Sequence, residues 1–203
     1  MKALRWHGVK DLRVENIAEP AAGKGKVKIK VECCGICGSD LHEYTAGPIF
    51  ISDSTPHPLT GEKAPIVMGH EFSGQIVEVG EGVTKFQKGD RVVVEPIFAC
   101  GECEACKQGL YNLCDKMGFL GLAGGGGGFS EYVAADEHMV HKIPDSVSYE
   151  QGALVEPFRS SSLCSSTKQA SSWGSCSRIR YRPNWTACYR SIEGGRRIGD
   201  LCN

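Results

Sequence analysis

Nothing in this chain approaches the roughly eighteen consecutive apolar residues that a membrane-spanning helix needs, so no bilayer role is indicated. Charge of one sign is equally scarce. Lys and Arg number 23 against 24 Asp and Glu, a formal net charge of −1, which gives no general pull toward nucleic acid. No apolar h-region follows Met1-Lys2-Ala3-Leu4-Arg5-Trp6-His7-Gly8, so secretion is not indicated and a reducing, cytoplasmic setting is expected. Helical periodicity is rare. What the 203 residues hold in quantity is glycine, 26 of them, and cysteine, eleven.

Up to Pro157 the sequence reads as short strands punctuated by turns. Val27-Lys28-Ile29-Lys30-Val31-Glu32 alternates apolar and charged, which predicts a half-buried strand. Phe72 to Val79 and Arg91 to Glu95 are β-rich, the second launched from a Lys88-Gly89-Asp90 turn, and Phe129 to Ala134 predicts another strand. The pattern is that of a mainly β, barrel-like domain over residues 1–157. The run Gly124 to Gly128 invites a phosphate-loop reading, but an anion site of that kind needs a helix N-terminus, and a strand follows instead; a flexible loop is expected there.

Cys100, Cys103, Cys106 and Cys114 are spaced C-x2-C-x2-C-x7-C. That spacing fits a closed tetrahedral thiolate site, which zinc fills at about 2.3 Å per sulfur and which contributes roughly 10–16 kcal/mol at neutral pH. The same opening begins a bacterial iron–sulfur run, but that run closes with C-x3-C-P. Here the fourth cysteine follows seven residues later, Asp115 stands where the proline would, and no second cluster appears. Zinc is the favoured occupant, and disulfides are the weakest option in a reducing compartment.

A second constellation is dispersed. Cys37 lies in Gly35-Ile36-Cys37-Gly38-Ser39-Asp40 behind the first good strand, and Gly69-His70-Glu71 precedes another. Thiolate, imidazole and carboxylate are the ligand types of an open catalytic zinc site. Gly69-His70-Glu71-x2-Gly74-x5-Gly80-x2-Val83 is similar to the zinc-containing alcohol dehydrogenase signature. With the Cys37-Gly-Ser-Asp turn and the four-cysteine lobe, residues 1–157 resemble the N-terminal, GroES-like catalytic domain of the medium-chain zinc dehydrogenases. Leu41-His42-Glu43-Tyr44, Gly47-Pro48-Ile49-Phe50-Ile51, His57-Pro58-Leu59-Thr60-Gly61 and the glycine run resemble the butanediol and sorbitol (polyol) branch in particular.

The resemblance implies two zinc ions, one catalytic and one structural. It implies Cys37, His70 and Glu156, the last from Val155-Glu156-Pro157, as ligands of the first, with Glu71 a nearby carboxylate or exchangeable ligand. It also implies NAD as hydride acceptor, a small secondary alcohol or ketone as substrate, and a proton relay in which Ser39 takes the alcohol proton and His42 passes it to solvent. The residues by themselves leave other roles open: Ser39 capping a helix that opens at Asp40, and His42 as a surface imidazole.

Residues 158–203 break from this pattern. Ten serines, four cysteines, seven arginines and one lysine stand against Glu193 and Asp200 alone, a formal charge of +6 that leaves −7 in the body. So few aliphatic residues cannot build a core, and disorder is expected. The family's doubly wound, C-terminal cofactor domain, opened by a glycine-rich strand-to-helix turn, is expected to be missing. Trp185 is encoded only by TGG and the Thr186 codon starts with A, so a reading displaced by one nucleotide contains GGA, glycine. Across Gly174 to Tyr189 permitted codons then spell a buried strand entering such a turn, and the tail is accordingly expected to be an out-of-frame product with no binding role, nucleic acid included. The expected function is NAD-linked oxidoreduction of 2,3-butanediol or a polyol by family, with little activity in this chain. The alternative is a non-enzymatic zinc-binding module.

Overall fold

The computed structural model describes residues 1–159. The tail 158–203, expected to be out of frame, therefore lies from residue 160 onward outside the described residues, as do its four cysteines. Strands dominate, in the order β1 (Lys2–Gly8), β2 (Asp11–Asn16), β3 (Lys26–Gly35), β4 (Ile66–Val67), β5 (Glu71–Val79), β6 (Arg91–Val94), β7 (Ile97–Phe98), β8 (Gly118–Phe119), β9 (Tyr132–Asp136) and β10 (Val140–Lys142). Three short helices intervene: α1 (Gly38–Ala46) between β3 and β4, α2 (Glu104–Lys107) between β7 and β8, and α3 (Tyr149–Ala153) after β10. None of the described helices is long and apolar enough to cross a membrane.

The main sheet has five antiparallel strands in the order β10-β6-β5-β3-β9, and a smaller sheet runs β2-β1-β4. The alternation in residues 27–32 does what its period requires: Val27, Ile29 and Val31 are fully buried, while their neighbours face outward or rest half-buried. Trp6, Phe72, Ile76, Leu120, Val133 and Met139 join them in one core.

The strand expected from Phe129 starts later, at Tyr132. Residues 129–131 instead cross between the two sheets. The Leu4 amide donates to the Phe129 carbonyl at 2.8 Å, and the Glu131 amide to the Lys2 carbonyl at 3.2 Å. Phe129 is buried there and belongs to the core.

The glycine run is also not the flexible loop its composition suggests. It is packed against the core: a side-chain carbon on Gly128 would stand 2.6 Å from Cys34 Sγ and 2.8 Å from Phe72, and one on Gly127 would collide with the Met68 carbonyl. Here glycine serves close approach between backbone and core, not mobility.

Candidate functional site

Helix α1 carries one side of the site. Its N-cap is Cys37, and the Asp40 carboxylate accepts from the Cys37 amide at 2.9 Å. The helix thus opens at Gly38, and Asp40 does the capping that Ser39 could have done. Ser39 is free to face inward, where its hydroxyl lies 3.3 Å from His70 Nε2. Strand β5 supplies the other side. Gly69, at φ +91° and with Phe129 atoms 2.8 Å from where a side chain would begin, makes the sharp entry that delivers His70 and Glu71 inward.

Cys37, His70 and Glu71 each bring a ligand atom within 4.8 Å of the others. His70 and Glu71 are buried, and Cys37 is half-buried. The imidazole is aimed by both its nitrogens: Nδ1 faces Asp40 Oδ1 at 3.6 Å, leaving Nε2 on the side of Ser39. Burial pushes the Glu71 carboxyl up to about 8, helped by the Cys37 sulfur beside it and tempered by His70. Asp40 is raised as well, first by burial, against the lowering influence of His70 and the amides of Cys37 and Gly69.

Two observations fit this cluster to a cation. Among the described residues, the buried side-chain atoms without a hydrogen-bond partner are Asp40 Oδ1, His70 Nδ1 and Glu71 Oε2; the first two face each other at 3.6 Å, and the third belongs to the cluster itself. In addition, Asp40, Glu43 and Glu71 are buried with His70, while no Lys or Arg belongs to the buried set of the described residues. The buried carboxylates of Asp40 and Glu71, with the Cys37 thiol, surround one imidazole, a set that a divalent metal would balance. Soft sulfur with imidazole and carboxylate is a donor set suited to zinc.

Glu156 is not part of the tight cluster. It lies half-buried in a helical stretch at 155–159, raised by burial and lowered by His70, and close enough to raise Glu71 in turn. A cavity of about 500 Å³ opens beside it, lined also by Phe72, Glu95, Tyr111, His141 and Ala153. His42 is exposed on α1, three residues beyond Ser39 and so one turn along the same helix.

The four-cysteine lobe is a separate metal-type group. Cys100, Cys103, Cys106 and Cys114 also offer sulfurs within 4.8 Å of one another, and none is in a disulfide. Cys100 and Cys106 sulfurs are 3.9 Å apart, against about 3.8 Å for two thiolates placed tetrahedrally around one zinc. Backbone amides line the lobe: Cys114 Sγ accepts from Cys100 and Lys116, each at 3.3 Å, and Cys100 Sγ from Cys103 at 3.3 Å. Amides of Cys106 and Asp115 pull the Cys103 thiol down to about 6, whereas burial and neighbouring sulfur push Cys106 up to about 12. Four sulfurs gathered within reach of one ion and met by amide donors are an arrangement that could hold a metal ion.

Reading the sequence missed two buried acids, Asp40 and Glu43. Asp40 carried a signal, since a carboxylate three residues after an N-cap reaches back to the cap amide. Glu43 carried none, because nothing in its neighbours distinguishes a buried glutamate from a solvated one.

Residues 23–145 match the family model described as the alcohol dehydrogenase GroES-like domain. Over 157 residues the chain is 68% identical to an (R,R)-butanediol dehydrogenase of Bacillus subtilis, covering 77% of this chain and 44% of the relative. Over 160 residues it is 45% identical to a sorbitol dehydrogenase of the same organism, covering 78% and 42%. A crystal structure of 2R,3R-butanediol dehydrogenase from Bacillus subtilis superimposes with a TM-score of 0.72 at 67% identity, over 77% of this chain and 44% of that one. The chain thus spans less than half the length of the curated relatives it matches.

Proposed function

The chain belongs to the alcohol dehydrogenase GroES-like domain family, and on that premise we propose that the Cys37–His70–Glu71 cluster is the catalytic metal centre of a zinc-dependent, NAD-linked oxidoreductase. Its reaction is the interconversion of a small secondary alcohol, 2,3-butanediol or a polyol, with the corresponding ketone. The observation that carries this reading is the coincidence of donors and orphaned buried atoms at one place, reached from two elements.

Cys37, His70 and a carboxylate from Glu71 or Glu156 would hold the ion, and Cys100, Cys103, Cys106 and Cys114 a second, structural one. When bound, zinc supplies a Lewis acid that polarises an oxygen and favours its deprotonated form near neutral pH. The chain's own residues do the rest. Asp40 stands 3.6 Å from His70 Nδ1, close enough to bias the ring electrostatically so that the other nitrogen is presented to the site. Ser39, half-buried beside His70, accepts the proton that leaves the alcohol, and exposed His42 one turn away hands it to water. Burial pushes the Glu71 carboxyl up to about 8, so it can exchange a proton near neutral pH at the site, and burial raises Glu156 as well.

Hydride acceptance needs a nicotinamide surface, and among the described residues no glycine-rich turn joins a strand to a helix in the manner of a dinucleotide site. Cobalt substitution tests the site: beside the spectrum of the four-cysteine lobe, the reading predicts a separate thiolate-to-cobalt component that 2,3-butanediol perturbs and that Cys37→Ser removes. A cobalt spectrum arising from the four-cysteine lobe alone, indifferent to diol and to Cys37→Ser, would overturn it.

A further inference from the structure

Glu43 is completely buried, yet it has no buried cationic partner among the described residues. Its charge is met by backbone instead. Ile49 donates to Oε2 at 3.0 Å and to Oε1 at 3.2 Å, Ile51 donates to Oε1 at 3.2 Å, and Phe50 donates to the same oxygen. Three consecutive amides converging on one carboxylate make a backbone nest, an arrangement that fixes the φ and ψ of the segment supplying them. The helix end is fastened to the same residue: the Gly47 amide and Trp6 Nε1 both donate to the Glu43 carbonyl, at 3.1 and 3.0 Å. A side-chain carbon on Gly47 would lie 2.6 Å from Glu43 Oε2, so the chain passes directly over the carboxylate.

The segment held in this way is unusual for a clamped one. Ile49 and Phe50 are 53% and 54% exposed, two large apolar side chains displayed on a backbone that a buried charge immobilises. Ile51, the third donor, is 2% exposed and anchors the segment from below. Position relative to the metal-type cluster follows from helix geometry. Ser39 and Glu43 are four residues apart on α1, so their side chains leave the same face about 5–6 Å from each other. Ser39 meets His70 from that face, and Glu43 meets residues 49–51 from it.

We propose that Glu43 is a positioning residue that holds segment 49–51, with Ile49 and Phe50, as a fixed apolar rim one helical turn from Ser39. Its importance to substrate rests on the alcohol-site reading given above; its hold on the segment does not. Loss of the carboxylate leaves three amides facing an apolar interior, and the segment then gains more by turning those amides to water than by staying in place. A glutamine keeps one acceptor oxygen and so restores part of the hold.

Hydrogen exchange on the metal-loaded 203-residue chain tests the hold. In the unsubstituted protein the amides of Ile49, Phe50 and Ile51 exchange as slowly as core amides of β3 and β5. Glu43→Ala accelerates those three by at least about tenfold with β3 and β5 unchanged, and Glu43→Gln falls between. Should Glu43→Ala not fold, the glutamine variant carries the comparison. The proposal is overturned if the three amides exchange freely in the unsubstituted chain, if neither variant alters them, or if exchange rises uniformly through the core. The cobalt-loaded protein tests the consequence for the site: Glu43→Gln shifts the diol midpoint upward several-fold with cobalt affinity unchanged. An unshifted midpoint removes the rim's role in binding, whereas a diol-indifferent spectrum in the unsubstituted chain removes the alcohol-site reading and leaves the exchange result to decide the hold.

Discussion

Asp40 Oδ1 stands 3.6 Å from His70 Nδ1, and both side chains are only 5% exposed. The same carboxylate caps helix α1 through its other oxygen, so one residue aims the imidazole and anchors the thiol-bearing turn. Replacing Asp40 with Asn leaves the cap an acceptor but removes the charge that orients the ring. Metal affinity at the Cys37 cluster is expected to fall about 10–100-fold, read by titration against a chelator, with the four-cysteine lobe unaffected. An equal loss at both sites would point to general destabilisation instead.

In the lobe, the chain between Cys100 and Cys114 has little regular structure beyond α2 and a single 3-10 turn. Most of its order is therefore expected to come from a bound ion. Cys103→Ser should release metal from this lobe and make its peptide bonds susceptible to limited proteolysis near Gly101 and Gly109, while the five-stranded sheet stays protected. Proteolytic patterns identical with and without the substitution would show that the lobe stands without metal.

Glu137 offers a pH test away from any metal-type group. Its carboxylate accepts from the amides of Lys85 and Thr84, each at 2.7 Å, which hold it below the usual carboxylate range. A group whose folded value is depressed adds stability that is present above its unfolded value, about 4.3, and is lost as pH falls through the folded one. The Tm difference between the parent chain and Glu137→Gln should thus be constant above about pH 5 and shrink as pH drops below 4. A difference that grows in acid would contradict the assignment.

Gly128 abuts Cys34 and Phe72 with no room for a methyl group. Gly128→Ala should cost about 1–3 kcal/mol through overpacking, measured by urea unfolding. A cost near zero would mean the glycine run yields more readily than its burial implies.

How far the sequence was readable depends on what kind of signal each residue gives. Val27, Ile29 and Val31 were legible because a period of two has one physical meaning, and the four lobe cysteines because their spacing limits what can bind them. Cys37, His70 and Glu71 were legible as ligand types, and the fold brings them together from β3–α1 and β5. Glu156 was expected beside them; it lies within electrostatic reach but outside the tight cluster. Asp40 and Glu43 were illegible in their roles, since a carboxylate on a short helix looks solvated until the partners that bury it are known. The glycine run misled in the same manner: its composition speaks of freedom, and only the positions of Cys34, Met68 and Phe72 reveal that the glycines are needed for closeness.

The central claim is that Cys37, His70 and Glu71 form a metal centre distinct from the four-cysteine lobe, and counting zinc per purified chain tests it most directly. About two ions are predicted for the parent chain and about one for Cys37→Ser or His70→Ala, the remaining ion being lost only when Cys103 or Cys114 is also replaced. One ion in the parent chain, unchanged by Cys37→Ser and His70→Ala, would contradict it.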